Sequence, residues 1–286
     1  MSVWFILIQV LNGIQYGLLL FLVASGLTLI FGLMGIINLA HGSFYMLGAY
    51  LAYWLTGATG SFALAIVLAI PLAAVVGLVL EAGLLRTLYR RSHLDQVLLT
   101  YGLILIFNEG QRLLWGGDVH SVAIPELLTG SVRLTETLSY PVYRLWVSLV
   151  CLALAGAMYL VIQRTRFGML IRAGACDRDM VAALGIDVKL LFAAVFAAGT
   201  VLAAVSGAIA APLSSVGPGM GDTVLILCFV VVVIGGVGNI KGTFFGALLI
   251  GLADTFGKVL IPDLASFMVY AVMAAVLLWK PRGLFA

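Results

Sequence analysis

Charge is what this chain has least of. Only 9% of its 286 residues are Asp, Glu, Lys or Arg, against roughly 25% in an average soluble domain. A soluble fold of this length needs a polar shell that 15 basic and 12 acidic residues do not supply. A soluble enzyme, a nucleic-acid binder and a disordered chain are therefore excluded as readings. Cysteine and histidine number three each. Cys151, Cys176 and Cys228 form no CxxC and no ligand cluster with the histidines, so they read as small packing residues and no metal site is expected. Catalytic motifs are missing too. There is no HExxH, and no glycine stands two residues before Ser206 to make a nucleophile turn. The stretch Gly236 to Thr243 lacks a Walker A triplet, because Gly242 separates Lys241 from Thr243. No Lys or Arg precedes the first apolar run, so a signal-peptide n-region is absent. That run, Trp4 to Phe31, reads as a retained membrane helix.

What is present is apolar. Hydrophobic residues make up 63% of the chain and mean hydropathy is +1.19. The apolar runs exceed the roughly ten-residue alternating segments of a membrane β-barrel. The expectation is an all-α polytopic transmembrane bundle of about eight to nine spans, because backbone in lipid must satisfy its own hydrogen bonds. The spans fall near 4–31, 36–56, 61–85, 96–115, 144–162, 190–212, 223–240, 243–261 and 266–280. The seventh ends in Gly235-Gly236-Val237-Gly238, where a break is expected, and the last is short.

The few charges fix an orientation. Nine crossings put Arg86, Arg90, Arg91, Arg164, Arg166, Arg172, Arg178, Lys189, Lys241, Lys280 and Arg282 on one side. The positive-inside rule makes that side cytoplasmic, with the N-terminus outside and the C-terminus inside. Loop 116–143 is then extracytoplasmic, with Asp118, Glu126, Arg133 and Glu136 and with Arg144 at its end. Loop 163–189 is internal. Within it, Asp177 to Leu184 followed by Gly185 fits one or two helical turns with a glycine stop, and fits an ordinary solvated loop equally well.

Polar residues inside spans are costly in lipid and face protein or a water-filled path. Gln9, Asn12 and Tyr16 share one helical face, with Gln15 beside them. Asn38, His41 and Tyr45 repeat that spacing on the second span. Two such stripes either line a pathway for a small polar solute or hold helices together at about 0.6 kcal/mol per contact. Glu109 and Arg112 lie at i, i+3, and Asp254 and Lys258 at i, i+4. Both read as structural ion pairs. Glu81 lacks a partner at helical spacing and lies close enough to the inner face to meet Arg86. Gly13 and Gly17, Gly242 and Gly246, and the small residues from Gly199 to Ala211 mark close helix approach, within the chain or between subunits.

The run from Gly26 through Asn38-Leu39-Ala40-His41-Gly42-Ser43 to Tyr50 resembles the N-terminal signature of branched-chain amino-acid ABC importer permeases of the LivH type. Further similarity lies in Arg172-Ala173, Asp177, Ala182-Ala183-Leu184-Gly185-Ile186, Gly235-Gly236-Val237-Gly238-Asn239 with Gly242, and the ending Lys280 to Phe285. The resemblance spans nearly the whole chain. It implies one permease domain over 1–286 in a bacterial inner membrane, without catalytic activity or a cofactor of its own. ATP would bind two separate ATPase subunits, beside a second permease subunit of the LivM type and a periplasmic substrate-binding protein. It implies that Arg172, Ala173, Asp177, Ala183, Gly185 and Ile186 belong to a loop coupling the permease to those ATPases. Such permeases move branched-chain amino acids, urea, short amides or aromatic acids. Ser43 stands where many amino-acid permeases have a carboxylate, which leaves the substrate open. Asn12, Gln15, Tyr16, Asn38, His41 and Tyr45 are the expected pathway lining. The competing reading is an ion-coupled secondary transporter acting as a single chain, with His41, Glu81 and Asp254 as coupling groups.

Overall fold

The computed structural model describes residues 3–89, 91–135 and 138–285. Arg90 and Glu136, both used in the orientation argument, lie outside the described residues. Apolar stretches too long for strands become helices: α1 (Val3–Met34), α2 (His41–Thr59), α3 (Phe62–Gly83), α4 (His93–Trp115), α5 (Val142–Arg164), α6 (Arg166–Cys176), α7 (Arg178–Ala183), α8 (Val188–Ala210), α9 (Met220–Gly235), α10 (Ile240–Leu260) and α11 (Ala265–Trp279). The expected loop 116–143 contains an antiparallel hairpin, β1 (Ser131–Thr135) with β2 (Leu138–Pro141), pairing Val132 with Tyr140. Nothing in the sequence reading anticipated it.

Each of the nine expected spans overlaps a helix, of between 15 and 32 residues. Six described helical segments are long and apolar enough to cross a membrane: α1, α3, α5, α8, α10, and α11 with its preceding turn. Helix α9 is apolar but shorter, and it stops where Gly236 and Gly238 take positive φ, at the break expected there.

Helix α1 is the axis of the bundle. Its residues Leu18 to Ala24 are all buried, and α8, α9, α10 and α5 pack around it. Glycines let these backbones approach. An added Cβ on Gly17 would meet the Ala247 carbonyl oxygen at 2.8 Å, and one on Gly26 would meet that of Gly199 at 2.7 Å. The GxxxG faces therefore pack inside this chain, α1 on α10 and α10 on α9. Outer faces of α3, α4 and α11 carry exposed apolar residues such as Val79, Leu98 and Leu278, as lipid or a partner subunit requires.

One boundary differs from expectation. The second span was expected to be helical from residue 36, placing Asn38 on the face of His41 and Tyr45. Instead Gly35 takes φ +66° and ends α1, residues 35–38 are not helical, and Asn38 Oδ1 accepts from Ala40 N at 3.1 Å. This side-chain turn competes with helix and delays α2 until His41. Ile36, Asn38 and Ala40 are buried along the way. Among the cysteines, Cys151 and Cys228 are buried, but Cys176 is exposed at the end of α6 and does not pack.

Candidate functional site

A cavity of about 590 Å³ opens between α1, α2, α5, α9, α10 and the segment joining α8 to α9. Its lining mixes polar and apolar side chains. The amide stripe of α1 supplies Gln9, Asn12, Gln15 and Tyr16, and α2 supplies Tyr45. Helix α5 adds Arg144, the 211–219 segment adds Ser214 and Ser215, α9 adds Thr223, and α10 adds Asp254 and Lys258. Leu19, Leu20, Val23, Met220 and Val224 form an apolar wall.

Asn12 organises one end. Its Oδ1 accepts from the Arg144 guanidinium at 2.9 Å and from the Tyr140 hydroxyl at 3.2 Å, while its Nδ2 donates to Gln9 Oε1 at 3.3 Å. A half-buried amide oxygen with two donors is well satisfied. At another part of the wall, Lys258 Nζ lies 2.6 Å from Asp254 Oδ2 and 5.4 Å from the centre of the Tyr16 ring. Acid four residues before base on one helix is the favourable order.

Asn38 and His41 are fully enclosed and do not line this cavity. His41 Nε2–H donates to the Val23 carbonyl at 2.9 Å, tying the start of α2 to the middle of α1. His41 Nδ1 and Asn38 Nδ2 have no hydrogen-bond partner among the described residues. Glu109 and Arg112 lie 3.6 Å apart on α4, both well exposed, so their attraction is worth little.

The segment 163–189, expected to be internal, is largely helical. Helix α6 is capped by the Thr165 hydroxyl, which accepts from Gly168 N at 3.1 Å. Arg172 folds back and its guanidinium donates to the Ile162 carbonyl. Asp177 is the N-cap of α7, accepting from Asp179 N at 3.0 Å and Met180 N at 2.9 Å. Gly185 ends the turn at φ +84°. Val181 is buried, whereas Arg172, Ala173, Asp177, Ala183 and Gly185 are exposed and Ile186 is half-buried. Met180 and Leu184 are exposed as well, an apolar tip on a charged segment. Gly174 of α6 sits against Leu33, one residue before the end of α1.

Glu81 meets Arg86 at 3.0 Å and also takes the Tyr89 hydroxyl, so the expected partner is joined by a second. Burial, then the hydrogen bond the hydroxyl donates to Glu81, holds the Tyr89 phenol well above its ordinary value.

The sequence reading missed Arg144, Ser214, Ser215 and Thr223 as cavity residues. Arg144 was counted among outer-loop charges, because a cation at the start of a span normally reaches outward. Its inward direction becomes visible only once Asn12 lies beside it.

A family profile described as "Branched-chain amino acid transport system / permease component" matches residues 9–277. The chain is 30% identical to the high-affinity branched-chain amino acid transport system permease protein BraD of Pseudomonas aeruginosa, covering 96% of this chain and 94% of that protein. It is 29% identical, with the same coverage, to the corresponding LivH of Escherichia coli. It is 27% identical to a probable branched-chain amino acid transport permease protein LivH of Methanocaldococcus jannaschii, over 96% and 91% of the two chains. No solved structure matches. These relatives are transport permease subunits and not enzymes. A polar cavity inside a helical bundle and a family match across nearly its whole length lead to one conclusion: the chain belongs to the branched-chain amino acid transport permease family.

Proposed function

We propose that the chain is the membrane-spanning subunit of an ABC importer in a bacterial inner membrane. It moves a small polar solute, a branched-chain or other amino acid or a related amide, urea or organic acid. It crosses the membrane nine times, with the N-terminus outside and loop 163–189 in the cytoplasm. ATP is bound and hydrolysed by two partner ATPase subunits. A second permease subunit and a periplasmic binding protein complete the assembly, the latter docking near loop 116–143.

One observation carries this reading. Helix α1 is continuous from Gln9 at the cavity to Leu33 against Gly174 of the internal segment. A single helix therefore joins the cavity to the exposed turn that offers Asp177, Met180 and Leu184 to a partner. When the ATPases close, they pull the segment from Arg172 to Asp187, and α1 and its neighbours change which side of the cavity is open. Asn12, Gln15, Tyr16 and Tyr45 meet the solute, while Asn38 shapes the turn before α2 and His41 holds α2 against α1.

The test is purification of the tagged full-length chain from its own membranes. Co-purifying ATPase subunits and solute uptake into right-side-out vesicles or proteoliposomes that depends on ATP at the face bearing the ATPases support the reading. Uptake by the isolated chain driven by a proton or sodium gradient overturns it.

A further inference from the structure

A second hollow, of about 340 Å³, lies between α5 and α10, which both pack on α1. It shares no lining residue with the polar cavity. Its floor is Phe21 of α1 and Met158 of α5, both buried. Leu152 and Tyr159 of α5 and Phe245 of α10 stand half-exposed at its rim. Gly156 opens the α5 wall, since an added Cβ there meets nothing within 4 Å. The α10 wall is braced by rings: Phe244 meets Phe21 edge-on at 5.1 Å, and Phe245 stacks on Phe285 at 5.3 Å. The groove is therefore preformed. Its lining is apolar except for Lys241 and the Tyr159 hydroxyl, and no acidic residue lines it. These two polar groups share one end. The last turn of α1 meets both Gly174, just beyond α5, and Gly238, just before α10, so the end of α5 and the start of α10 lie at one face. Lys241 is exposed and belongs to none of the three ion pairs among the described residues.

We propose that this groove holds one acyl chain of an anionic phospholipid, whose phosphate pairs with Lys241. A lysine and a tyrosine at the end of an apolar surface mark the level of lipid headgroups. From there the groove runs along α5 past Gly156 to Leu152, and exposed Leu149 continues the same face. From Tyr159 to Leu149 the helix rises about 15 Å, half of a hydrocarbon core roughly 30 Å thick. An acyl chain of one leaflet covers that distance. A recess opened by one absent side chain suits a flexible run of methylenes better than the ridged face of another helix. Charge decides the headgroup: a lysine with no acid beside it favours a lipid with net negative charge over a zwitterionic one. The inference holds whichever face of the membrane is cytoplasmic, and it concerns a ligand other than the transported solute.

The experiment places the full-length chain, with its co-purifying subunits, in nanodiscs of phosphatidylcholine. A small fraction of phosphatidylglycerol carrying a diazirine on one acyl chain is the probe. After irradiation, labelled peptides are located by mass spectrometry. Labelling of segments 152–159 and 240–245 is expected, and it should saturate as the probe fraction rises, unlike the diffuse labelling of the outer faces of α3 and α11. The same diazirine on phosphatidylethanolamine, which has no net charge, should need roughly fivefold more lipid for half-saturation, the factor one lysine near a headgroup contributes. Lys241→Gln should remove that preference and Lys241→Arg should keep it. Gly156→Phe fills the recess and should abolish saturable labelling by both lipids, while labelling of α3 and α11 persists. If Gly156→Phe fails to assemble, the headgroup comparison on the unaltered chain and on Lys241→Gln decides alone. Three results each overturn the site: no labelling of either segment, as when a partner subunit is seated there; equal half-saturation by the two lipids; or saturable labelling undiminished by Gly156→Phe.

Discussion

Gly207 and Gly57 offer a matched pair of substitutions, one across a helix contact and one in open space. Gly207 lies in α8 where that helix crosses α2, and an added Cβ would strike the Tyr45 carbonyl and lie 3.2 Å from Ala49 N. The obstacle is backbone, so no side-chain rotation relieves it. The helices must part by something on the order of 1 Å to restore ordinary contact, which forfeits about half the dispersion attraction of the atoms at the crossing. Overpacking of this kind costs about 1–3 kcal/mol, offset by about 0.5–1 kcal/mol of helix preference for alanine. At Gly57 in α2 an added Cβ meets nothing within 4 Å, so only the gain of about 0.5–1 kcal/mol applies. The two alanine variants should therefore differ by roughly 2 kcal/mol. At about 2–4 °C per kcal/mol for a chain near this size, that is a difference of roughly 4–8 °C in unfolding temperature. The assay is size-exclusion recovery of detergent-solubilised protein after graded heating. Gly207→Ala should also slow uptake, because Tyr45 lines the cavity and moves with its carbonyl. Gly207→Ala as heat-stable as Gly57→Ala would refute the argument that the α2–α8 contact is at its closest limit.

Three further outcomes are expected. Asp177→Ala removes the cap of α7 at a local cost of about 1 kcal/mol, and should abolish uptake while membrane levels stay normal; undiminished uptake would count against a coupling role. Gly185→Ala meets no atom within 4 Å but must hold φ +84°, a strain of about 1–2 kcal/mol. It should reduce uptake, and Gly185→Asn, which tolerates that conformation, should restore part of it; equal uptake by the two variants would exclude backbone strain as the cause. Tyr89 has its phenol pKa raised by burial and by Glu81. The stability this contributes is fully present below the ordinary phenol value of about 10 and is lost as pH rises beyond it. Tyr89→Phe should therefore flatten the fall in unfolding temperature between about pH 9 and 11, and an unaltered slope would argue against the Glu81 contact.

The helices were legible because apolar length is a property of the line of residues itself. The span expected at 144–162 became α5 at Val142–Arg164, and the last became α11 with edges one residue away. The turn at Asp177 was half legible: a capping acid and a glycine stop bracket it, but the same stretch fitted a solvated loop equally well. Helical spacing misled at Asn38, where the i, i+3 match to His41 assumed a helix that Gly35 had already prevented from starting. Proximity between distant segments was not legible at all. Arg144 and Asn12 meet at 2.9 Å across more than a third of the chain, and no pattern local to either residue records it. The hairpin was missed because its strands are only five and four residues long, too short for alternation to stand out.

That hairpin reaches the cavity. Tyr140 belongs to β2, opposite Val132, and β2 runs directly into α5, whose first turn carries Arg144. Because strand side chains alternate, a slip of one residue in the β1–β2 pairing turns Tyr140 to the other face. Asn12 then loses a donor, and the start of α5 shifts with it. Strand pairing in the hairpin thus works as a ruler for the placement of Arg144 at the cavity's edge. Lengthening that hairpin by one residue is therefore a change in the lining of the cavity, made at a distance from it.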